Sequence, residues 1–241
     1  MLPVVSLLLL LAIYGALIRR SPRPRPFGAG PHAVYRRWLA RTPVLLGGGT
    51  VLALILLGRT DALDAMPPEF LPAADLVVST IGGYLDAPSF APMIVVALVA
   101  GGGLGAILDA WRRRRGKGPV MLGDISAIQP RAWHDYAPAA LVGSIAGVVE
   151  EAFFRLALPL AIVLASGSVL VAHAVALGLF AAAHRYQGWG GIAGSLVMGL
   201  VMAVLYLASG ALWLAMLVHA LVNLNALILR PALARVQLFR R

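Results

Sequence analysis

The 241-residue chain contains no cysteine, which excludes disulfides, thiolate metal sites and cysteine nucleophiles. Charge is scarce as well. Only 12% of residues are Asp, Glu, Lys or Arg, where a soluble domain carries about a quarter. No hydrophilic stretch is long enough to fold as a separate soluble unit. Several catalytic signatures are missing. There is no HExxH, no GxSxG elbow (the stretch from Gly194 reads GSLVMG) and no pair of aspartates inside an apolar segment. These gaps argue against a zincin-type helix, an α/β-hydrolase serine and an aspartyl dyad. What is present is apolar: 60% of residues are hydrophobic and the mean hydropathy is +0.86. The predicted fold class is all-α, a polytopic membrane helical bundle with the lipid bilayer as its partner.

Seven apolar segments are read, at about 2–18, 43–58, 91–111, 137–165, 168–186, 190–208 and 211–229, giving about seven transmembrane helices. The net charge of +10 is distributed by topology. If the segments alternate across the bilayer, 18 of the 20 basic residues fall on one side. The other side holds Arg59 with Asp61, Asp64, Glu69, Asp75 and Asp86. The positive-inside rule then predicts an external N-terminus and a cytoplasmic C-terminus. The basic excess is a topology signal, not a nucleic-acid footprint, and no nucleic-acid partner is expected. The first segment lacks a basic n-region and a small-residue cleavage site, so it reads as a retained anchor. The expected location is a prokaryotic plasma membrane.

Three regions follow. Residues 1–136 form an N-terminal frame of three spans with basic cytoplasmic loops and an acidic external loop. Residues 137–230 form a helical core, and 231–241 a basic tail. Ser21 to Pro31 reads as an irregular linker, and Leu71 to Tyr84 as a short interfacial helix. Trp133 and Tyr136 are placed as interface anchors. Gly143 and Gly147, four apart, mark a face where helices approach closely, and Gly190 and Gly194 repeat the spacing. Asp109, beside Arg112 and Arg113, reads as locally paired.

Apart from Asp109 at the end of the third segment, the charged and histidine residues inside apolar segments lie after residue 137. Glu150 and Glu151 are adjacent carboxylates, each costing roughly 2.5–3.5 kcal/mol at a bilayer centre. Glu151 and Arg155 share a helical face in the favourable acid-before-base order and are expected to pair. Glu150 points about 100° away with no local basic partner, as a general base requires. In the next segment Phe180 and His184 share a face. His173 lies about three turns earlier on that face and reads as packing or a hydrogen-bond donor. In the last segment His219 and Asn223 lie one turn apart. An imidazole and a carboxamide there can orient water, ligate a metal or donate to an oxyanion. Asn225 faces elsewhere and reads as a helix–helix hydrogen bond. By length along the helices Glu150 and His219 sit deep while His184 sits near the cytoplasmic end. A kink at Pro159, a later start to the fourth span or a fifth helix running past Tyr186 would bring them together, in a polar cavity of the cytoplasmic half.

The ordered set EExxxR, FxxxH and HxxxN resembles the Abi/CAAX protease family of intramembrane proteases, relatives of the type II CAAX prenyl endopeptidase. The motifs run from Glu150 to Asn223 without departure. The resemblance implies an intramembrane endopeptidase acting on a membrane-associated peptide or protein substrate, prenylated in the eukaryotic relatives. It implies that Glu150 activates water with Glu151 and Arg155 in support, that His184 positions that water, and that His219 and Asn223 stabilise the oxyanion. Two schemes fit. In one, Glu150, His184 and His219 bind Zn²⁺, which acidifies its water. In the other no metal takes part. Two further readings remain open: a non-proteolytic scaffold or bacteriocin-immunity-type protein of the same fold, and a small proton-coupled transporter. Repeat symmetry, usual in transporters, is not visible.

Overall fold

The structure is a computed structural model describing residues 1–19, 30–118 and 123–238. Most of the expected linker at 21–31, with Arg240 and Arg241, lies outside those residues. The described chain is an all-α bundle. Helix α1 is Leu2–Arg19, α2 Pro31–Leu57, α3 Leu71–Ile81, α4 Ala87–Arg114, α5 136–166, α6 Val169–Ala183, α7 Gly188–Ser209 and α8 212–238. The short interfacial helix appears as α3, which packs on α7 and exposes Leu71, Leu76 and Ile81.

Among the described residues, five stretches are long and apolar enough to cross a membrane: Leu2–Arg19, Pro31–Leu57, Ala87–Arg112, Val169–Ser209 and Leu212–Leu233. Such a set of apolar helices is what a multi-pass integral membrane protein presents. The seven apolar segments of the sequence map onto them differently. Val169–Ser209 is a hairpin: α6 and α7 pack on each other and the chain reverses at Gly188, whose φ of 78° suits glycine. Helix α5 is long enough to span but carries Glu150, Glu151 and Arg155, which break its apolar run. It is the enclosed helix. Every residue from 151 to 163 is buried.

The two ends of the bundle differ in charge. Arg185 Nη2 donates to Ile18 O (2.6 Å), Asp124 N to Gln187 O (3.0 Å), Tyr35 OH to Ile128 O (2.7 Å) and Arg235 Nη2 to Pro130 O (3.3 Å). The basic connections therefore meet at one end. The acidic 59–86 segment reaches the other, where Leu85 N donates to Ala208 O (3.0 Å). Asp109 bonds across the bundle to Arg230, joining α4 to α8. Trp133 and Tyr136 stack on one another at 5.2 Å, with Arg235 over both rings.

Three turns widen to π-helix, at Val44–Gly48, Ala152–Ala157 and Asn225–Leu229. The last two share a cause. Pro159 and Pro231 lack an N–H, so the carbonyls of Arg155 and Leu227 have no donor four residues on. The first follows Pro43 directly. A π turn thus begins just after Glu151.

The most extensive helix contact joins α5 to α8. Gly147 makes it possible: a Cβ there would lie 2.5 Å from Ala220 N and 2.7 Å from its Cα. Gly143 lies against Asn223 in the same way, with a Cβ 3.3 Å from that of Asn223. The small-residue spacing read from the sequence is this crossing. Gly147→Ala should push α8 away and lower stability by about 1–3 kcal/mol. Gly101→Ala, with open space around it, should change stability little. Thermal unfolding of both variants in one detergent checks this.

Candidate active site

The site forms where α5, α6 and α8 meet. Glu151 is fully buried, and its carboxylate serves two partners. Oε1 lies 2.6 Å from His219 Nδ1, and Oε2 lies 3.2 Å from Arg155 Nε. Arg155 is 2% exposed. Its guanidinium lies 4.4 Å over the Phe180 ring, and no nitrogen of it finds a hydrogen-bond acceptor among the described residues. The cation is held by charge and by the aromatic face, not by directed hydrogen bonds. The Glu151–Arg155 pairing expected from their spacing is present.

Glu150 takes the other side of the helix and keeps 15% of its side chain exposed, against none for Glu151. It lies 3.9 Å from His219 Nε2. His219 therefore stands between the two carboxylates, one at each ring nitrogen. Because Glu151 takes Nδ1, the neutral ring donates there and offers a lone pair at Nε2. It donates from Nε2 only as the imidazolium. A span of 3.9 Å is too long for a direct hydrogen bond and suits one bridged by water.

His184 occupies the first position of a 3₁₀ turn, His184–Gln187, that ends α6. The fifth span does not run past Tyr186 as a helix; α6 stops at Ala183. His184 reaches the site through Phe180, whose ring centroid is 4.7 Å from His184 and 5.9 Å from His219. Its Nδ1 is 2.9 Å from Phe180 O, which leaves Nε2 available. Tyr186, in the same turn, lies within electrostatic reach of Glu150. Asn223 Nδ2 donates to Gly143 O (3.2 Å) across the α5–α8 crossing, so one of its amide hydrogens is already engaged.

The donor types at Glu150, His184 and His219 suit a zinc-class ion, but their atoms do not converge to within 4.8 Å as a set; the one set that does so among the described residues is His32, His134 and Asp135. Two other polar residues behave otherwise than as ligands. His173 bonds Val169 O through Nδ1 (3.0 Å) and packs on the Phe70 edge, the packing role read from the sequence. Asn225 packs into the space left by Gly102 of α4, but its Oδ1 has no hydrogen-bond partner among the described residues. The expected helix–helix hydrogen bond is not made through that atom.

Sequence reasoning missed Gly199 of α7. A Cβ there would lie 2.7 Å from Leu177 Cδ1, 2.9 Å from Phe180 Cδ1 and 3.3 Å from Arg155 Nη2. Its missing side chain makes room for the Arg155–Phe180 stack. Nothing in the local sequence distinguishes it from the other glycines.

Residues 132–225 match the Rce1-like family, the type II CAAX prenyl endopeptidases. The match supports membership of the CAAX protease family. The match contains all three motifs, from Glu150 to Asn223. No curated protein and no solved structure matches the chain. The CAAX proteases are intramembrane peptidases, and the Rce1-like segment here begins at the turn before α5 and ends within α8.

Removal of Glu151 should separate fold from chemistry. Glu151→Ala leaves Arg155 buried without a counter-charge and should cost about 3–5 kcal/mol. Glu150→Ala, at a partly exposed carboxylate, should change stability by less than about 0.5 kcal/mol. Parallel thermal unfolding measures both.

Proposed function

We propose that this protein is an intramembrane endopeptidase of the CAAX type, acting on a membrane-associated peptide or protein. The observation that carries the reading is the pair formed by Glu150 Oε2 and His219 Nε2, facing each other at 3.9 Å with His219 fixed from behind by Glu151. Water held between them loses a proton to Glu150 as it attacks the scissile carbonyl. The proton then passes to the leaving amine. His219 as the imidazolium, balanced by Glu151, donates to the developing oxyanion through Nε2. The second amide hydrogen of Asn223 adds to that stabilisation. His184, with Nε2 free at the end of α6, orients substrate or water at the mouth of the site. Arg155 and Phe180 hold Glu151 and His184 in place. Residues 137–230 act as the catalytic core and 1–136 as its frame.

The crowding of basic connections at one end supports a cytoplasmic location for that end, with an external N-terminus. The site opens toward it, because His184 and Tyr186 lie in the turn that contacts the connection before α5. A prokaryotic plasma membrane is the proposed location, and a prenylated C-terminal peptide the substrate to try first.

The test is cleavage by purified wild type and Glu150→Ala, given a prenylated CAAX peptide and a library of membrane-proteome peptides. Wild type should cut and Glu150→Ala should lose at least about a hundredfold, the usual contribution of a general base. Undiminished cleavage by Glu150→Ala would remove the base assignment. Absence of cleavage by both proteins favours the non-proteolytic reading. A chelator arm separates the two water-activation schemes: retained activity after metal stripping supports the metal-free one.

A further inference from the structure

A second cluster of metal-binding side chains lies apart from Glu150, at the charged end of the bundle. His32 is the second residue of α2. His134 and Asp135 lie in the 3₁₀ turn that leads into α5. Asp135 Oδ1 is 2.9 Å from His32 Nε2 and 3.7 Å from His134 Nε2, and the three atoms lie within 4.8 Å of one another. A tetrahedral ion with bonds of about 2.0–2.1 Å holds its ligand atoms roughly 3.3 Å apart, and the two exposed imidazoles must turn out of their near-parallel stack to aim both Nε2 lone pairs at it.

Three observations point to a ligand beyond mere proximity. Asp135 is 2% exposed, and its Oδ1 makes no hydrogen bond despite the imidazoles beside it. Its other oxygen accepts from Arg131 N (2.7 Å) and Ala132 N (2.8 Å), which fixes the carboxylate so that Oδ1 faces the two rings. Such outer hydrogen bonds are what orient a metal-ligating carboxylate. The two imidazoles are stacked at 5.0 Å with 15° between planes, both presenting Nε2 to that oxygen. Two protonated rings so placed would repel, whereas one divalent cation would satisfy all three groups once the exposed rings turn their planes toward it. His32 and His134 are half and three-quarters exposed, and a groove of about 410 Å³ lined by His32, Tyr35 and Arg36 opens beside them. An ion can enter, and a fourth position remains for water or an anion.

We propose that His32, His134 and Asp135 form a binding site for a divalent transition-metal ion of the zinc class. Two imidazoles and one carboxylate suit that ion chemistry. The ion joins the start of α2 to the turn that begins α5, and so braces the N-terminal frame against the helix carrying Glu150 and Glu151. The site is independent of any catalytic role for Glu150.

The test uses untagged full-length protein in detergent, stripped of metal and titrated with Co²⁺, with visible absorption and Zn²⁺ competition as readouts. Wild type should bind one equivalent at this site, and Glu150→Gln/His184→Ala should retain it. His32→Ala and His134→Ala should each weaken that binding by more than about tenfold. Zn²⁺ should raise the melting temperature of wild type but not of His134→Ala. Both histidines are exposed, so the variants should fold, and the metal-free melting curve verifies it. Equal Co²⁺ titrations in wild type and the histidine variants would overturn the site, as would an absence of binding to wild type.

Discussion

The carboxylate of Glu151 holds the centre of this molecule together. It is fully buried, it faces Arg155 with one oxygen and His219 with the other, and it thereby ties a turn of α5 to the middle of α8. An acid, a guanidinium and an imidazole would each be costly inside an apolar bundle. Together they form one chain of compensated charge, closed on its outer side by the Phe180 ring of α6. Three helices are held in register by one side chain. The adjacent carboxylate, Glu150, is freed by this arrangement from any structural duty.

Such a chain needs backbones that come unusually close. Gly147 lets α8 rest on α5 at Ala220, and His219 is the residue just before that contact. Gly199 does the same for α7, opening the space that the guanidinium and Phe180 fill. The π turn at Ala152–Ala157 begins directly after Glu151 and contains its partner Arg155, because Pro159 withholds a donor from the Arg155 carbonyl. Glycine contact, proline-driven widening and the charge chain occupy about three consecutive turns of α5. A change to one is felt by the others.

Much of this could be read from the sequence, and what could not has a physical cause. The Glu151–Arg155 pair follows from a spacing of four on one helix, and the Gly143–Gly147 face from the same periodicity. The helical class follows from composition. The role of His219 was only half legible. Spacing put it beside Asn223 on one face, but nothing local could show that Glu151, on another helix, takes its Nδ1. Asn223 was read as an oxyanion donor, yet one amide hydrogen is spent on Gly143 O, a contact set by helix crossing. His184 looked too shallow because depth was counted along straight helices. In the structure α6 ends in a 3₁₀ turn, and Phe180 lies between the rings of His184 and His219. Gly199 was invisible, since what it does depends wholly on its neighbours in space.

The hydropathy of α5 has a broader consequence. It carries three ionisable groups within its apolar run, and it is also the helix with the longest fully enclosed stretch, 151–163 being buried throughout. These two facts have one origin. A helix bearing three ionisable groups cannot face lipid without paying solvation at each of them, so the apolar helices surround it and the groups neutralise one another inside. The surrounding helices can then be judged by hydropathy alone, because lipid is what they meet. The central helix cannot, because what it meets is protein. In this chain the enclosed helix is therefore the one that can hold ionisable groups, and Glu150, Glu151 and Arg155 are all on it.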